Sequence, residues 1–258
     1  MIPTLHAGAA QELAESGLAQ LVDGTWLMPG STAQTELLAN TTAVVDTAAL
    51  KALPHDTRAA RAHEVFAASG VLGARPVAVY DRAGFFSAPW VAWLLASHGA
   101  SVSLVSGVGM EGDTRTLEGS GLVSTAEPER MNATKADVLA ALGTRTQIVD
   151  VRPPERFAGS APEPRPECRS GRIPGSLNLP FGRLKGDSAF RDYEDLAEAA
   201  ATSGIDLERP VITTCGSGVT ASAVAVVLQR LGATDVRVYQ GSWAEWSMDP
   251  ALPIETGA

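Results

Sequence analysis

Cysteine, histidine and aromatic residues are scarce in this sequence of 258 residues. It contains two cysteines and four histidines, and aromatic residues make up 5% of the chain. Two cysteines exclude a scaffold held together by several disulfides, and they are too few for a zinc ribbon. Two unpaired cysteines also fit a reducing compartment, so we expect a cytoplasmic protein.

Long apolar runs and an excess of positive charge are absent as well. No stretch approaches the roughly 18 consecutive apolar residues of a membrane-spanning helix. The N-terminus lacks a basic segment followed by an apolar one, so we expect no signal peptide. The net charge of −9 argues against a nucleic acid or an anionic membrane bound through a broad basic face.

The length and the composition indicate two folded domains. A chain of 258 residues is long for one average domain, and each half is large enough to bury its own core. Apolar residues make up 45% and charged residues 19% of the sequence, which is not the composition of a disordered protein.

The two halves of the chain resemble each other. The segment 75–81, RPVAVYD, aligns with 209–215, RPVITTC, at an offset of 134 residues (209 minus 75). In each half, small residues, an apolar helical segment ending at Gly-Ala and a short β-branched strand follow. The helical segments are predicted at 87–98 and 219–231, and the strands at 101–107 and 235–241. Four elements in the same order indicate an internal duplication.

A strand, a long helix and a second strand make a βαβ unit, which predicts a mainly parallel sheet flanked by helices. We therefore predict two α/β domains, at 1–125 and 131–258, joined within the Gly-, Ser- and Pro-rich segment 117–131. No elements are assigned before Val44. The second half is predicted to hold further elements: a helix near 134–142, a strand at 146–151 and a helix at 192–203.

Cys215 ends a predicted strand and begins a glycine-rich loop, Cys-Gly-Ser-Gly-Val-Thr-Ala. Gly216 and Gly218 allow the backbone to curl so that successive N–H groups face one point, which makes an anion nest. A thiol in such a nest is expected to have a lowered pKa. Ligands also bind at the carboxyl ends of parallel strands, so we predict that Cys215 is a nucleophile. The alternative is an inert buried cysteine.

The surroundings of Cys215 restrict the reaction class. All four histidines lie in the first half, so the second half contains no Cys/His dyad of its own. A cysteine phosphatase or arsenate reductase is disfavoured, because the phosphatase loop needs an arginine where this chain has Ala221. A thiolate held by backbone dipoles suits attack on a sulfur electrophile.

The loop 215–221, with Gly241-Ser-Trp-Ala-Glu-Trp246, resembles the two-domain sulfurtransferases of the rhodanese family. Segments 149–157 and 163–175 also match the family's active domain, and 79–81 and 86–89 match its inactive one more weakly. Gly-Ser after the cysteine is similar to the 3-mercaptopyruvate sulfurtransferases. The resemblance implies two rhodanese-like domains, a persulfide intermediate on Cys215, no metal and no organic cofactor.

The resemblance also implies roles for individual residues. Backbone N–H groups of the loop residues would cradle the persulfide: Gly216, Ser217, Gly218, Val219 and Thr220. Arg156 and Arg165 would bind the carboxylate and keto oxygen of the donor, for which forked guanidinium donors are suited. The alternative for each arginine is a salt bridge with Glu155, Glu163 or Glu167. Asp81 stands where the first domain would have its cysteine, so that domain is expected to be catalytically silent.

The sequence predicts structural or auxiliary roles for several other residues. Asp150 and Arg152 are predicted structural partners at a strand end, and Cys168 a bystander thiol. Ser217 is predicted to hydrogen-bond the leaving group or relay a proton. Three further positions complete the set: Thr220 as the N-cap of the long helix, and Trp243 and Trp246 as core residues.

The function predicted from the sequence is sulfur transfer from 3-mercaptopyruvate or thiosulfate to a thiol or cyanide acceptor. The expected partners are a small anionic sulfur donor and a thiol acceptor, such as a thioredoxin-like protein or a small thiol. Two alternatives stay open: a thiosulfate-preferring enzyme, and a non-catalytic sulfur carrier or regulatory module. His55 matches a family histidine, with a solvated helix-start residue as the alternative.

Overall fold

The computed structural model describes residues 1–28, 30–33, 36–71, 73, 75–108, 130–187 and 189–257. The chain divides into two compact units. The first unit comprises Met1–Leu53, Thr57–Glu129 and Lys185–Phe190, and the second comprises Pro54–Asp56, Arg130–Leu184 and Arg191–Ala258. The predicted join at 117–131 lies outside the described residues except for its last two positions.

The first unit contains a five-stranded parallel sheet. Its strand order is β1-β5-β4-β2-β3, and every pairing is parallel. The strands are β1 (Thr4–His6), β2 (Gln20–Asp23), β3 (Ala43–Val44), β4 (Val77–Tyr80) and β5 (Val102–Ser106). All four residues of β4 are buried, as expected for a central strand covered on both faces.

The second unit repeats this arrangement. Its sheet has the order β6-β10-β9-β7-β8, again with parallel pairings throughout. The strands are β6 (Asn132–Ala133), β7 (Gln147–Asp150), β8 (Leu177–Asn178), β9 (Val211–Thr214) and β10 (Val236–Tyr239). Because each strand has a counterpart at the same place in the first sheet, the predicted α/β fold and internal duplication are confirmed.

Helices flank both sheets. The helices are α1 (Ala7–Glu15), α2 (Thr47–Ala52), α3 (Arg58–Ala68), α4 (Ala88–Ser97), α5 (Lys135–Ala141), α6 (Pro154–Phe157), α7 (Tyr193–Thr202), α8 (Val219–Arg230) and α9 (Ser242–Met248), with a 3₁₀ turn at Phe181–Arg183. In the described part of the chain, no helix combines the length and apolarity needed to span a bilayer.

The two repeat helices, α4 and α8, follow the central strands β4 and β9. Nine of the ten residues of α4 are buried, and so are nine of the twelve in α8. A helix that is apolar on all sides must be covered on all sides, which explains why these two sequences show little amphipathic pattern. Because each helix is held on all sides, it also holds the end of the preceding loop in place.

The predicted elements of both repeats are present, with ends shifted by one or two residues. No element was predicted before Val44, where the structure has β1, α1, β2 and the start of β3. Every residue of β2 is buried, so the strand lacks the alternation of apolar and polar residues that marks a half-exposed strand. A short, fully buried strand followed by irregular chain carries no local signal.

Candidate active site

The carboxyl ends of three strands in the second sheet lie at the edge that holds Cys215. Cys215 directly follows β9, Asp150 ends β7, and Gln240 follows β10. These three strands are neighbours in the sheet order. The edge corresponds to the place where open α/β sheets bind their ligands.

The Cys215 thiol lies inside its own loop. The Sγ atom accepts hydrogen bonds from the backbone N–H of Gly218 at 3.1 Å and of Ser217 at 3.4 Å. Cys215 is 3% exposed. Two backbone dipoles that point at a nearly buried sulfur stabilise its anionic form. The predicted role of the loop N–H groups toward a persulfide stays a prediction.

Gly218 makes this geometry possible. Its φ of +91° lies in the left-handed region. A Cβ atom at this position would lie 2.7 Å from the carbonyl oxygen of Gln240 and 2.8 Å from its side-chain oxygen. Both the backbone conformation and the contact with the chain after β10 therefore require glycine.

The predicted N-cap of the long helix is wrong. Helix α8 begins at Val219 with Gly218 as its N-cap, and no side chain caps it. Thr220 is instead the second residue of the helix. The left-handed turn at Gly218 redirects the chain two residues earlier than the sequence suggested.

The start of α9 fastens the backbone of the loop. The N–H of Cys215 donates to Ser242 Oγ at 3.1 Å, and its carbonyl accepts from the N–H of Trp243 at 2.9 Å. The carbonyl of Gly216 accepts from the N–H of Ala244 at 3.1 Å. These contacts turn the loop carbonyls toward α9, which leaves the loop N–H groups to face the sulfur.

Sequence reasoning missed Ser242. This residue is fully buried, has a φ of +53° and donates its hydroxyl hydrogen bond to the Tyr239 carbonyl at 2.8 Å. Its Oγ lies 3.9 Å from Cys215 Sγ. The segment 241–246, noted for its resemblance to a family motif, was the signal that could have identified it.

Asp150 and Arg152 form a buried ion pair. The Arg152 Nη2 atom lies 2.6 Å from Asp150 Oδ2, and the side chains are 1% and 0% exposed. Burial alone would lower the pKa of Arg152, but the nearby carboxylates of Asp150 and Glu163 outweigh it and raise that pKa. The guanidinium also packs over the Trp243 ring, 4.3 Å from its centroid. The predicted structural role of this pair is confirmed.

Arg156 lies beside the cysteine loop. A Cβ atom on Gly216 would be 3.3 Å from Arg156 Nη2. The Nε atom of Arg156 donates to Glu163 Oε1 at 3.2 Å, and its Nη2 donates to Glu163 Oε2. Arg156 is therefore near the nucleophile and also in the salt bridge that was its alternative interpretation.

Arg165 differs from Arg156. Its side chain is half-buried, and within the described residues its guanidinium has no ion-pair partner. Its carbonyl accepts a hydrogen bond from the N–H of Cys168 at 3.0 Å. The structure gives Arg165 no hydrogen bond to the cysteine loop, so its role in binding stays a prediction.

The remaining site predictions divide into core and bystander residues. Trp243 and Trp246 are fully buried in one apolar cluster, which confirms the core assignment. Cys168 is half-buried, and it forms no disulfide with Cys215. Across the described ranges, no group of three or more His, Cys, Asp or Glu side chains is placed to hold a metal ion.

The first unit has an equivalent loop, which begins with an aspartate where the second unit has a cysteine. Asp81 directly follows β4 and is 3% exposed. Its Oδ1 accepts from the N–H groups of Ala83 and Phe85 at 2.9 and 3.0 Å, and its Oδ2 accepts from those of Ser87 and Ala88 at 2.8 and 2.7 Å. A carboxylate thus occupies the position that the Cys215 sulfur occupies in the second unit.

Comparison with known proteins agrees with this geometry. A family model described as a rhodanese-like domain matches residues 134–249. The chain is 34% identical over 197 residues to 3-mercaptopyruvate sulfurtransferase of Escherichia coli K12, covering 72% of this chain and 70% of the relative. The chain belongs to the rhodanese family. The mouse 3-mercaptopyruvate sulfurtransferase is 38% identical to this rhodanese over 192 residues, which are 69% of this chain and 65% of the relative.

Solved structures extend the likeness to both units of this rhodanese. SseA from Escherichia coli, described as having the rhodanese fold, covers 94% of this chain and 99% of its own at 27% identity, with a TM-score of 0.69. Tum1 from Saccharomyces cerevisiae reaches a TM-score of 0.79 over 99% of this chain and 98% of its own at 22% identity, a likeness of fold. The chain is a two-domain rhodanese sulfurtransferase that uses small sulfur donors and thiol acceptors.

Proposed function

We propose that this rhodanese transfers sulfur from 3-mercaptopyruvate to a thiol through a persulfide on Cys215. The observation that carries the proposal is the cradle around Sγ, with backbone N–H donors at 3.1 and 3.4 Å. The loop 215–221 contains no basic side chain. Charge on the sulfur is therefore stabilised by backbone dipoles, as in an oxyanion hole, and the loop adds no cation for a dianionic donor.

In the first half-reaction, the Cys215 thiolate attacks the sulfur atom of 3-mercaptopyruvate. The new S–S bond forms as the C–S bond breaks, and its electron pair passes to carbon as the enolate of pyruvate. The proton of the donor thiol then moves to that carbon, which leaves the Cys215 persulfide anion and pyruvate. After the step the negative charge lies on the outer sulfur, which the N–H groups of the loop residues 216–220 are proposed to cradle.

In the second half-reaction, an acceptor thiol takes the outer sulfur atom. The acceptor thiolate attacks this atom, the S–S bond breaks, and the electron pair returns to Cys215 as thiolate. We propose a small thiol or a thioredoxin-like protein as acceptor and a cytoplasmic location, where both cysteines would be kept as thiols. The mechanism predicts ping-pong kinetics.

Arg156 and Arg165 are proposed to orient the donor. Arg156 has the closer support, because its Nη2 atom approaches Gly216 directly after the nucleophile. Guanidinium groups bind a carboxylate and its neighbouring keto oxygen in a forked geometry, which places the donor sulfur toward Cys215.

The test is donor-dependent labelling of Cys215. We expect incubation with 3-mercaptopyruvate to add one sulfur atom to the Cys215 peptide in mass spectrometry, with release of pyruvate. Cys215→Ser should accept no sulfur and release no pyruvate, whereas Cys168→Ser should behave as the wild-type protein. If a folded wild-type protein gains no sulfur from 3-mercaptopyruvate or from thiosulfate, the proposed function is wrong.

A further inference from the structure

Glu163 connects Arg152 and Arg156. Its side chain is 4% exposed. One carboxylate oxygen, Oε1, lies 2.8 Å from Arg152 Nη1 and 3.2 Å from Arg156 Nε. The other, Oε2, accepts from Arg156 Nη2. A buried carboxylate thus lies between two guanidinium groups, one of which reaches the loop.

The charges of this cluster balance. Two carboxylates, from Asp150 and Glu163, face two guanidinium groups, from Arg152 and Arg156. All four side chains are at most 21% exposed, so solvent screens these charges only in part. Arg156 therefore presents hydrogen-bond donors to a ligand while most of its positive charge is already compensated by Glu163.

A compensated arginine discriminates between donors by their charge. At neutral pH 3-mercaptopyruvate carries one negative charge, whereas thiosulfate carries two. Arg165, which has no ion-pair partner within the described residues, adds one positive charge if it joins the site as proposed above. One uncompensated cation matches a monoanion, and a dianion would leave a negative charge unpaired in a partly desolvated site.

We propose that Glu163 is a specificity-determining residue, which sets the site for a monoanionic sulfur donor by compensating the charge of Arg156. This inference rests on the proposed function. Glu163 is a positioning residue, because it acts on the donor through Arg156.

The substitution Glu163→Gln removes the negative charge and keeps the size of the side chain, but its amide nitrogen cannot accept a hydrogen bond, so one of the two acceptor atoms that face the arginines is lost. The Gln oxygen can still accept a hydrogen bond from either arginine. Arg152 also keeps its three contacts to Asp150, at 3.1, 3.0 and 2.6 Å, and a contact to the Gly171 carbonyl at 2.7 Å. The variant is therefore expected to fold with Arg156 carrying a full positive charge.

The experiment compares kcat/KM for thiosulfate and for 3-mercaptopyruvate with one acceptor. Glu163→Gln is expected to raise the thiosulfate-to-mercaptopyruvate ratio on the order of tenfold, mainly through a lower KM for thiosulfate. Glu163→Asp retains the charge and should keep the wild-type ratio. The matched controls Glu155→Gln and Glu167→Gln remove the same charge from exposed residues of the same segment, and should change the ratio less than about twofold.

A measurement on the wild-type protein keeps the inference testable if Glu163→Gln does not fold. Pyruvate, a monoanion, should inhibit 3-mercaptopyruvate turnover competitively at lower concentration than oxalate, a dianion of similar size. An unchanged donor ratio in folded Glu163→Gln, an equal change in the control variants, or tighter inhibition by oxalate would overturn the inference. Sulfur labelling of Cys215 in that case would show that the proposed function itself still holds.

Discussion

Gly218 is the residue whose identity the cysteine loop constrains most. Its φ of +91° excludes most L-residues, and the Gln240 carbonyl occupies the space that a side chain would need. Gly216, two residues earlier, has no positive φ, and its nearest neighbour is the flexible end of Arg156 at 3.3 Å. Two glycines of one loop therefore have unequal structural roles.

Gly218→Ala is expected to lower the free energy of unfolding of the second unit by about 2–4 kcal/mol, the sum of left-handed strain and overpacking. It should also abolish sulfur loading, because the Gly218 N–H would leave Cys215. Urea unfolding and the mass-spectrometric assay measure the two effects. Gly216→Ala is the control and should cost less than about 1 kcal/mol. Equal losses for both variants would contradict this account.

At the scale of residues, local sequence predicted the nucleophile but not its supports. Cys215 and its glycines are adjacent in sequence, so the loop could be recognised directly. Ser242 lies 27 residues away and reaches the Cys215 N–H only because β9 and β10 are neighbours. Three carboxylates were possible salt-bridge partners of Arg156: Glu155, Glu163 and Glu167. The sequence of a long loop does not show which of these carboxylates contacts which arginine.

At the scale of elements, the strand–loop–helix of the first unit keeps the geometry that the second unit uses for chemistry. In both, a central strand ends at an anionic side chain that accepts backbone N–H hydrogen bonds before the buried helix begins. Four backbone N–H groups donate to the Asp81 carboxylate, and those of Ser217 and Gly218 donate to the Cys215 sulfur. We therefore expect the Asp81 carboxylate to stabilise the loop of the first unit, at the position where the second unit has its cysteine.

Asp81→Ala is expected to destabilise the first unit by about 2–4 kcal/mol, because four backbone N–H groups, three of them buried, would lose their acceptor. Asp46→Ala is the matched control. Asp46 is an exposed N-cap of α2 that accepts from the Ala49 N–H at 2.8 Å, and its loss should cost about 1 kcal/mol. Urea unfolding measures both, and hydrogen exchange in β4 and α4 would place the change. A loss for Asp81→Ala no greater than that for Asp46→Ala would refute the role assigned to this carboxylate.

The elements that the sequence revealed are those with a repeat partner or a clear end signal. Helices α4 and α8 were located because Gly-Ala follows each, and α5 has a capping box between Thr134 and Asp137. The strands and helix before Val44 were missed because they are short and β2 is buried on both faces. Their places in the sheet depend on pairing with β4 and β5, which is long-range information.

At the scale of the whole molecule, the two units differ in their content of histidine. His6, His63 and His98 belong to the first unit, and His55 to the second. Burial lowers the pKa of His98, although a hydrogen bond to the Ala59 carbonyl opposes this and His63 adds to it. The sequence placed all four histidines in its first half, but the contact of His98 with its surroundings required the fold.

Mild acid should therefore destabilise the first unit through His98. The folded pKa lies below the unfolded value of about 6.5, so the unfolded state binds the proton more readily. The stability due to neutral His98 is complete above pH 6.5 and is lost as the pH falls toward the folded pKa. Urea unfolding at pH 7.5 and 5.5 is expected to show a smaller loss in His98→Gln than in the wild-type protein. An identical loss in both proteins would rule out His98 as the cause.

The Asp81 and Cys215 loops share a charge, although they differ in residue type and in chemistry. Each holds a single negative charge, on a carboxylate in one unit and on sulfur in the other, and a thiolate and a persulfide anion carry that same charge. A duplicated loop that stabilises one negative charge therefore tolerates a carboxylate oxygen in place of sulfur as the atom that carries the charge. Replacement of the cysteine in one copy of such a tandem protein therefore need not unfold that copy, because a carboxylate at the strand end still gives the backbone N–H groups an acceptor.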